Sequence, residues 1–175
     1  MTLFAGLFFC LLGSLLSSSW AEAAPQPELQ AGTHCPFNTH SIKEGNAWYC
    51  YELYERPRSF PKAEVVCQQN RNGGHLASIT SKKQTESIGG YISEISKEKA
   101  RVWIGLYREQ NSDLVRGWRW TDGSFFDYKN WVKGEPNNAG GDEFCVELTA
   151  ESGFERWNDV SCSSEKSFLC RWRVL

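Results

Sequence analysis

Hydrophobic positions recur along this chain with several spacings, and each spacing predicts a different element. The first is a continuous run, Leu3 to Leu16, apolar but for the Gly13-Ser14 break. It falls short of the ~20 residues that a membrane-crossing helix needs. Ala21-Glu22-Ala23 behind it offers small residues for cleavage. The pattern predicts a secretory signal peptide over residues 1–23, although its start carries no Lys or Arg. Residues 24–34 form a short polar, Pro-containing stub without periodicity, and residues 35–175 read as one domain. Within it, Trp48 to Tyr54 alternates aromatic with other residues and predicts a strand. Ser59 can cap a helix that tolerates Pro61 in its first turn and runs to about Asn70. Ser81-Lys82-Lys83-Gln84 fits a capping box, and Ile88, Ile92 and Ile95 share a face of the helix behind it. Gly89-Gly90 in its middle works against that helix. Val102 to Leu106 predicts a buried strand. From Asn111 to about Pro136, Gly, Asp, Asn and aromatic residues predict loops with short strands, and Cys145 to Leu148 and Phe168 to Trp172 predict closing strands. Two early helices followed by strands and long loops make an α+β domain.

Composition sharpens this picture in two places. A formal net charge of −2 leaves no basic footprint, so nucleic acid is not an expected partner. No second long apolar run follows the leader, so no membrane anchor is expected and the mature chain reads as secreted and extracellular. Of the 7 cysteines, Cys10 leaves with the leader. The other six, Cys35, Cys50, Cys67, Cys145, Cys162 and Cys170, are an even set in a secreted chain and predict three disulfides whose pairing spacing alone leaves open. The 8 Trp, 6 Tyr and 10 Phe predict a dense aromatic core, an aromatic contact surface, or both. Trp103, Trp118, Trp120 and Trp157 read as core, while Trp131, in the loop before the candidate site, could also face a ligand.

Candidate chemistry concentrates late in the chain. Glu135-Pro136-Asn137, Glu143 and Trp157-Asn158-Asp159 bring three carboxylates and two carboxamides into one short region, bracketed at its end by Cys145 and Cys162. An oxygen-only set suits calcium, which takes six to eight oxygens in irregular geometry. It suits zinc or copper poorly, since no His or Cys is interleaved. There is no Cys-x-x-Cys, and His34, His40 and His75 are not at ligand spacing. Asp122-Gly123 reads as a turn, and Arg116 and Arg119 as a solvated face.

Trp103-Ile104-Gly105-Leu106, Glu135-Pro136-Asn137, Trp157-Asn158-Asp159 and the six cysteines, taken in order, resemble a C-type lectin domain over about Cys35 to Trp172. The short layout, without stalk or anchor, resembles the regenerating-protein (lithostathine-like) group and the snake-venom lectins alike. The resemblance implies the pairings Cys35–Cys50, Cys67–Cys170 and Cys145–Cys162, and a cis bond between Glu135 and Pro136. It implies that Glu135, Asn137, Glu143, Asn158 and Asp159 hold one calcium ion and also contact the sugar. In the family, Glu-Pro-Asn accompanies mannose, N-acetylglucosamine and fucose, whereas Gln-Pro-Asp accompanies galactose. The chain also departs from the pattern. Arg108, Asn138 and Phe144 stand where an auxiliary calcium would need acids, so that second ion is not expected. No cysteine lies near Gly74, so any homo-oligomer is expected to be non-covalent.

The function implied is a secreted, calcium-dependent binder of glycans with mannose-type terminal sugars. The alternative is a lectin-like module for a protein, lipid or mineral surface. An enzyme is not expected. Glu143 and Asp159 could be imagined as a glycosidase pair, but carboxylates clamped on calcium are poor proton donors, and no Gly-x-Ser-x-Gly or His-Glu-x-x-His is present.

Overall fold

The computed structural model describes residues 35–97 and 100–174. The leader, the stub, Cys10 and His34 lie outside the described residues. Eight strands form one sheet: β1 (His40–Glu44), β2 (Ala47–Arg58), β3 (His75–Leu76), β4 (Val102–Arg108), β5 (Trp118–Trp120), β6 (Cys145–Leu148), β7 (Trp157–Val160) and β8 (Lys166–Arg173). The main order is β1-β2-β8-β4-β6-β7, with β3 on β8 and β5 on β4. Two helices, α1 (Phe60–Asn70) and α2 (Lys82–Ile95), complete the α+β architecture.

The central strand β4 shows why the sheet separates two cores. Its side chains alternate between faces. Val102, Ile104 and Leu106 join the core that contains Ile88, Ile92 and Leu148. Trp103 points to the other core, with Phe60, Ala63, Leu76 and Phe168. Burying each such side chain contributes ~1.5–3 kcal/mol, so both faces of β4 matter to the fold. Its indole N–H donates to the Arg58 carbonyl at 2.9 Å, which leaves no buried polar atom of Trp103 unpaired.

Helix α2 is capped from both directions. Ser81 Oγ accepts from Gln84 N at 3.2 Å. Gln84 Oε1 accepts from Thr80 N at 2.5 Å, one residue ahead of the position a capping box uses. Two sequence expectations shift here. Ile88 and Ile92 are buried, but Ile95, on the same face at the last residue of the helix, is 39% exposed. Ser59 occupies the N-cap of α1 but makes no side-chain cap. Phe60 N donates instead to the Cys162 carbonyl at 3.0 Å, and Pro61 has no N–H to satisfy.

Disulfides join Cys35–Cys50, Cys67–Cys170 and Cys145–Cys162. The second spans 103 residues and ties α1 to β8, a closure worth about 4.7 kcal/mol in the chain-entropy model. Arg171 adds a partly buried polar tie between segments. It reaches Glu44 at 2.8 Å and Asp122 at 2.7 Å, with its guanidinium 3.7 Å from the Tyr49 ring centre. Asp122 also shapes its own turn by accepting from Ser124 N at 2.9 Å, with Gly123 at φ +75. No helix among the described residues is long and apolar enough to cross a membrane.

Candidate functional site

Two supports build the site: the β6–β7 ladder and the loop from Gly134 to Glu143. Asn158 and Asp159 lie on strand β7, an element the sequence reading did not predict. The strand is hard to see in sequence because its middle is polar. Its register places Val146 opposite Asp159 and Glu147 opposite Asn158. Trp157 anchors the strand, packing edge-on against Trp120, Tyr128 and Trp131 at 5.6–5.7 Å. Trp131 is half-buried in this cluster, tilted against Trp118 at 5.0 Å, so its ring belongs mostly to the packing.

Asp159 is fully buried and organises the loop. One carboxylate oxygen accepts from Asn137 N at 3.0 Å and the other from Asn138 N at 2.8 Å. Asn138 is left-handed at φ 50, a conformation Asn tolerates better than most residues. Its side-chain oxygen accepts from Glu143 N at 3.0 Å, closing the loop on itself. Ala139 N is shared between Asn137 Oδ1 at 2.7 Å and Glu143 Oε2 at 2.5 Å. Asn137 Nδ2 donates to Glu135 Oε1 at 2.9 Å, and the Glu135–Pro136 bond is cis. Glu135, Asn137, Glu143 and Asp159 are thus linked through a few shared hydrogen bonds. Asn158 reaches the same place from β7, where it borders a surface depression together with Glu135.

The electrostatics of this cluster are unfavourable as they stand. Burial, then the neighbouring Asp159 carboxylate, then Glu143, push the Glu135 carboxyl above its usual range. Glu143 is raised too, first by burial and then by Asp159, Glu147 and Asp142. The Glu135 Oε2 atom is buried and has no hydrogen-bond partner. A buried carboxylate oxygen without a donor costs free energy unless a cation or a proton meets it. The donor set is oxygen-only, so a hard cation such as calcium fits it. Among the described residues no group of three or more His, Cys, Asp or Glu side chains is placed to hold a metal by itself. A cation here would therefore draw on the oxygens of Asn137 and Asn158 as well.

Two residues outside the proposed ligand set support the site. Glu147 is fully buried in β6, where it accepts from Asn158 Nδ2 at 3.0 Å. Arg101 at 2.5 Å and Lys166 at 2.9 Å balance its charge. That bond turns the nitrogen of the Asn158 carboxamide toward Glu147 and its oxygen the other way. The signal in the sequence was a lone acid inside Cys145-Val146-Glu147-Leu148, an apolar strand that would bury it only with partners. Arg108, 5% exposed, is the other. Its guanidinium bonds to the Ser112 carbonyl at 3.1 Å and the Glu143 carbonyl at 3.4 Å. It lies over the Phe144 and Trp118 rings, 4.8 and 5.6 Å from their centres. A fixed side-chain cation thus stands behind the loop that carries Glu143. The histidines have structural partners: His40 bonds Ser87 at 2.7 Å, and His75 bonds Glu64 at 2.6 Å.

A mixed sheet flanked by two helices, with oxygen donors gathered on a long loop and the neighbouring strand, defines a surface-binding module. Comparison with known proteins gives the class its name. A family model described as the lectin C-type domain matches residues 56–172. A C-type lectin of Micrurus corallinus is 36% identical over 168 residues, 96% of this chain and 96% of that protein. The crystal structure of human lithostathine has a TM-score of 0.73 at 32% identity, over 87% of this chain and 99% of that one. The C-type carbohydrate-recognition domain of cow CD23, solved in the presence of a GlcNAc2Man3 oligosaccharide, has a TM-score of 0.64 at 28% identity, over 81% of this chain and 98% of that one. The chain belongs to the C-type lectin domain family, whose members are binding proteins and not enzymes.

Proposed function

We propose that the protein is a secreted, calcium-dependent lectin for glycans ending in mannose-type sugars: mannose, N-acetylglucosamine or fucose. Glu135, Asn137, Glu143, Asn158 and Asp159 would hold the one ion. The observation that carries this reading is the buried, partnerless Oε2 of Glu135 beside two further carboxylates. Calcium bound there would supply free coordination positions for two neighbouring sugar hydroxyls. The side chains add direction. A carboxamide NH2 has two donor hydrogens. Asn137 spends one on Glu135 and Asn158 spends one on Glu147, leaving each a second for a sugar oxygen. Glu135 and Glu143 are acceptors for the hydroxyl hydrogens. Donors and acceptors thus alternate around the ion, and that order favours one arrangement of hydroxyls over another. Retention on mannan resin with calcium and loss of retention in chelator is the expected result. Undiminished retention in chelator would overturn the reading.

A second reading, a module for a protein, lipid or mineral surface, draws support from another face. Val115 and Phe125 are 60% and 81% exposed. Phe125 shares a shallow cavity wall with Arg116 and Arg119, so apolar and cationic groups stand together there. Chelator-resistant binding to a non-glycan surface, lost on Phe125→Ser, would favour this reading.

A further inference from the structure

We infer that the sugar site continues into a second subsite that reads an anionic group, a sulfate or a carboxylate, on the residue next to the terminal sugar. The inference rests on the lectin reading for its starting point, the edge formed by Glu135 and Asn158.

The first support is continuity. The depression that borders Glu135 and Asn158 is also lined by Val132, Thr149 and Glu151. Those three residues line a second depression as well, which ends at Trp131, Lys133 and Arg156. Through these shared walls the two form one groove leading away from the candidate calcium ligands.

The second support is rigidity. Val132 N donates to the Trp157 carbonyl at 2.8 Å, which fixes that wall to β7. On the other side, Ser152 Oγ donates to the Thr149 carbonyl at 2.8 Å and accepts from Arg156 N at 2.9 Å. The groove is thus already formed in the free protein, and a preformed groove spares a ligand the cost of ordering it.

The third support is charge. At the end near the ion, Arg101 is matched by Glu147 at 2.5 Å and Glu151 at 3.4 Å. At the far end, neither Lys133 nor Arg156 takes part in any ion pair among the described residues. Among the described residues the Arg156 guanidinium bonds the neutral Asn130 oxygen, at 2.9 Å, through one of its nitrogens. An ammonium and a guanidinium are left facing one groove end, in a chain whose net charge is −2. A tetrahedral sulfate or a planar carboxylate suits that pair, since the guanidinium can donate two parallel hydrogen bonds. A neutral sugar would leave both cations with Glu151, already engaged by Arg101, as the one carboxylate in their wall.

The test compares three probes in calcium by calorimetry: a neutral mannobiose, the same disaccharide with a sulfate on its reducing residue, and mannose linked to a uronic acid. The proteins are the wild type and the exposed double variant K133A/R156A, with circular dichroism to confirm an unchanged fold. The wild type should bind at least one charged probe roughly tenfold tighter than the neutral one, and the double variant should lose that gain while binding the neutral probe as before. A gain with the sulfated probe alone, or with the uronic acid alone, supports the subsite and identifies its anion. Equal affinity of the wild type for all three probes overturns the subsite and leaves the calcium site standing. A gain that survives in K133A/R156A also overturns it. Failure of all three probes to bind in calcium overturns the lectin reading and the subsite together.

Discussion

Asp159 shows how much one side chain can be asked to do. It is buried, both of its oxygens hold loop amides, and its charge adds to the cluster that raises Glu135 and Glu143. Asp159→Asn keeps the shape but sets an amide N–H against a backbone N–H. The resulting unpaired donor costs about 1–3 kcal/mol, while the β6–β7 backbone ladder stays intact. Urea unfolding should show a lower midpoint from a still cooperative, disulfide-bonded protein, and mannan retention should vanish. Retention at wild-type strength would remove Asp159 from the site. The pair Glu135 and Asn137 tests direction in place of presence. Glu135→Gln together with Asn137→Asp conserves charge, so calcium should still bind, but the donor in their 2.9 Å hydrogen bond moves to the other residue. Competition with free mannose and galactose should show mannose preference lost, and an unchanged order of preference would mean that these residues do not read the sugar. All five candidate donors were legible in the sequence because they sit in short, recognisable strings. The supporting roles of Glu147 and Arg108 were not, because they come from register and loop closure. Glu147 matters only because β6 places it opposite Asn158, and Arg108 only because the Ser112 and Glu143 carbonyls come to it.

At the level of elements, α2 gives a direct contrast between intrinsic preference and packing. Gly89 and Gly90 are adjacent in the helix, and propensity alone would favour Ala at both by about 1 kcal/mol. The structure separates them. A Cβ on Gly90 would meet nothing within 4 Å, while one on Gly89 would meet the Gly153 carbonyl oxygen at 2.7 Å and Glu155 Cγ at 3.1 Å. Gly153 and its neighbours form the turn that feeds β7, so Gly89 lets the helix approach the base of the site. Gly90→Ala should raise the melting temperature, with a gain of about 0.5–1 kcal/mol. Gly89→Ala should lower it, since backbone would have to move. Equal shifts for the two variants would deny the close approach. The sequence supported this helix through Ser81, Gln84 and the isoleucine spacing, and the glycine pair that weakened the prediction turns out to be half packing requirement. Strands were legible where apolar residues alternate or run together, as in β4, β6 and β8. They were missed where burial comes from partners elsewhere. β2 continues past Tyr54 through Glu55, Arg56 and Pro57 because β8 pairs with it again at Arg58↔Lys166, beyond a register shift. The two residues of β3 are held only by β8.

For the molecule as a whole, the lectin reading makes folding and ligand binding meet in the protonation of one acidic cluster. The Glu135 and Glu143 carboxyls are raised in the folded chain by burial and by each other's neighbours. The sign follows from linkage. A carboxyl whose folded value exceeds its unfolded one, about 4.3 for Glu, binds more protons folded than unfolded across the window between the two values. Without calcium, these two groups therefore make stability fall as pH rises through that window. On the proposed reading calcium would reverse the balance, since it would bind the deprotonated folded site and stabilise by RT ln(1 + [L]/Kd), about 2.7 kcal/mol at a hundredfold excess over Kd. Protons compete for the same oxygens. The calcium increment in melting temperature should be full near neutral pH and should shrink as the pH is lowered into the raised carboxyl range. That loss should begin above the pH at which ordinary glutamates titrate. Other acid-labile contacts, such as Glu44–Arg171 and Glu147–Lys166, will lower stability in acid with or without the ion. Taking the difference between calcium and chelator at each pH removes them and isolates the site. Thermal melts from about pH 7.5 to about pH 4.5, paired in this way, measure the increment, and mannan retention over the same series should fall in parallel. Glu135→Gln supplies the control: one raised carboxyl is gone, so the increment should be smaller at neutral pH. A calcium increment that stays constant across the series, or is absent at neutral pH in the wild type, would show that the carboxylates of this loop do not hold the ion.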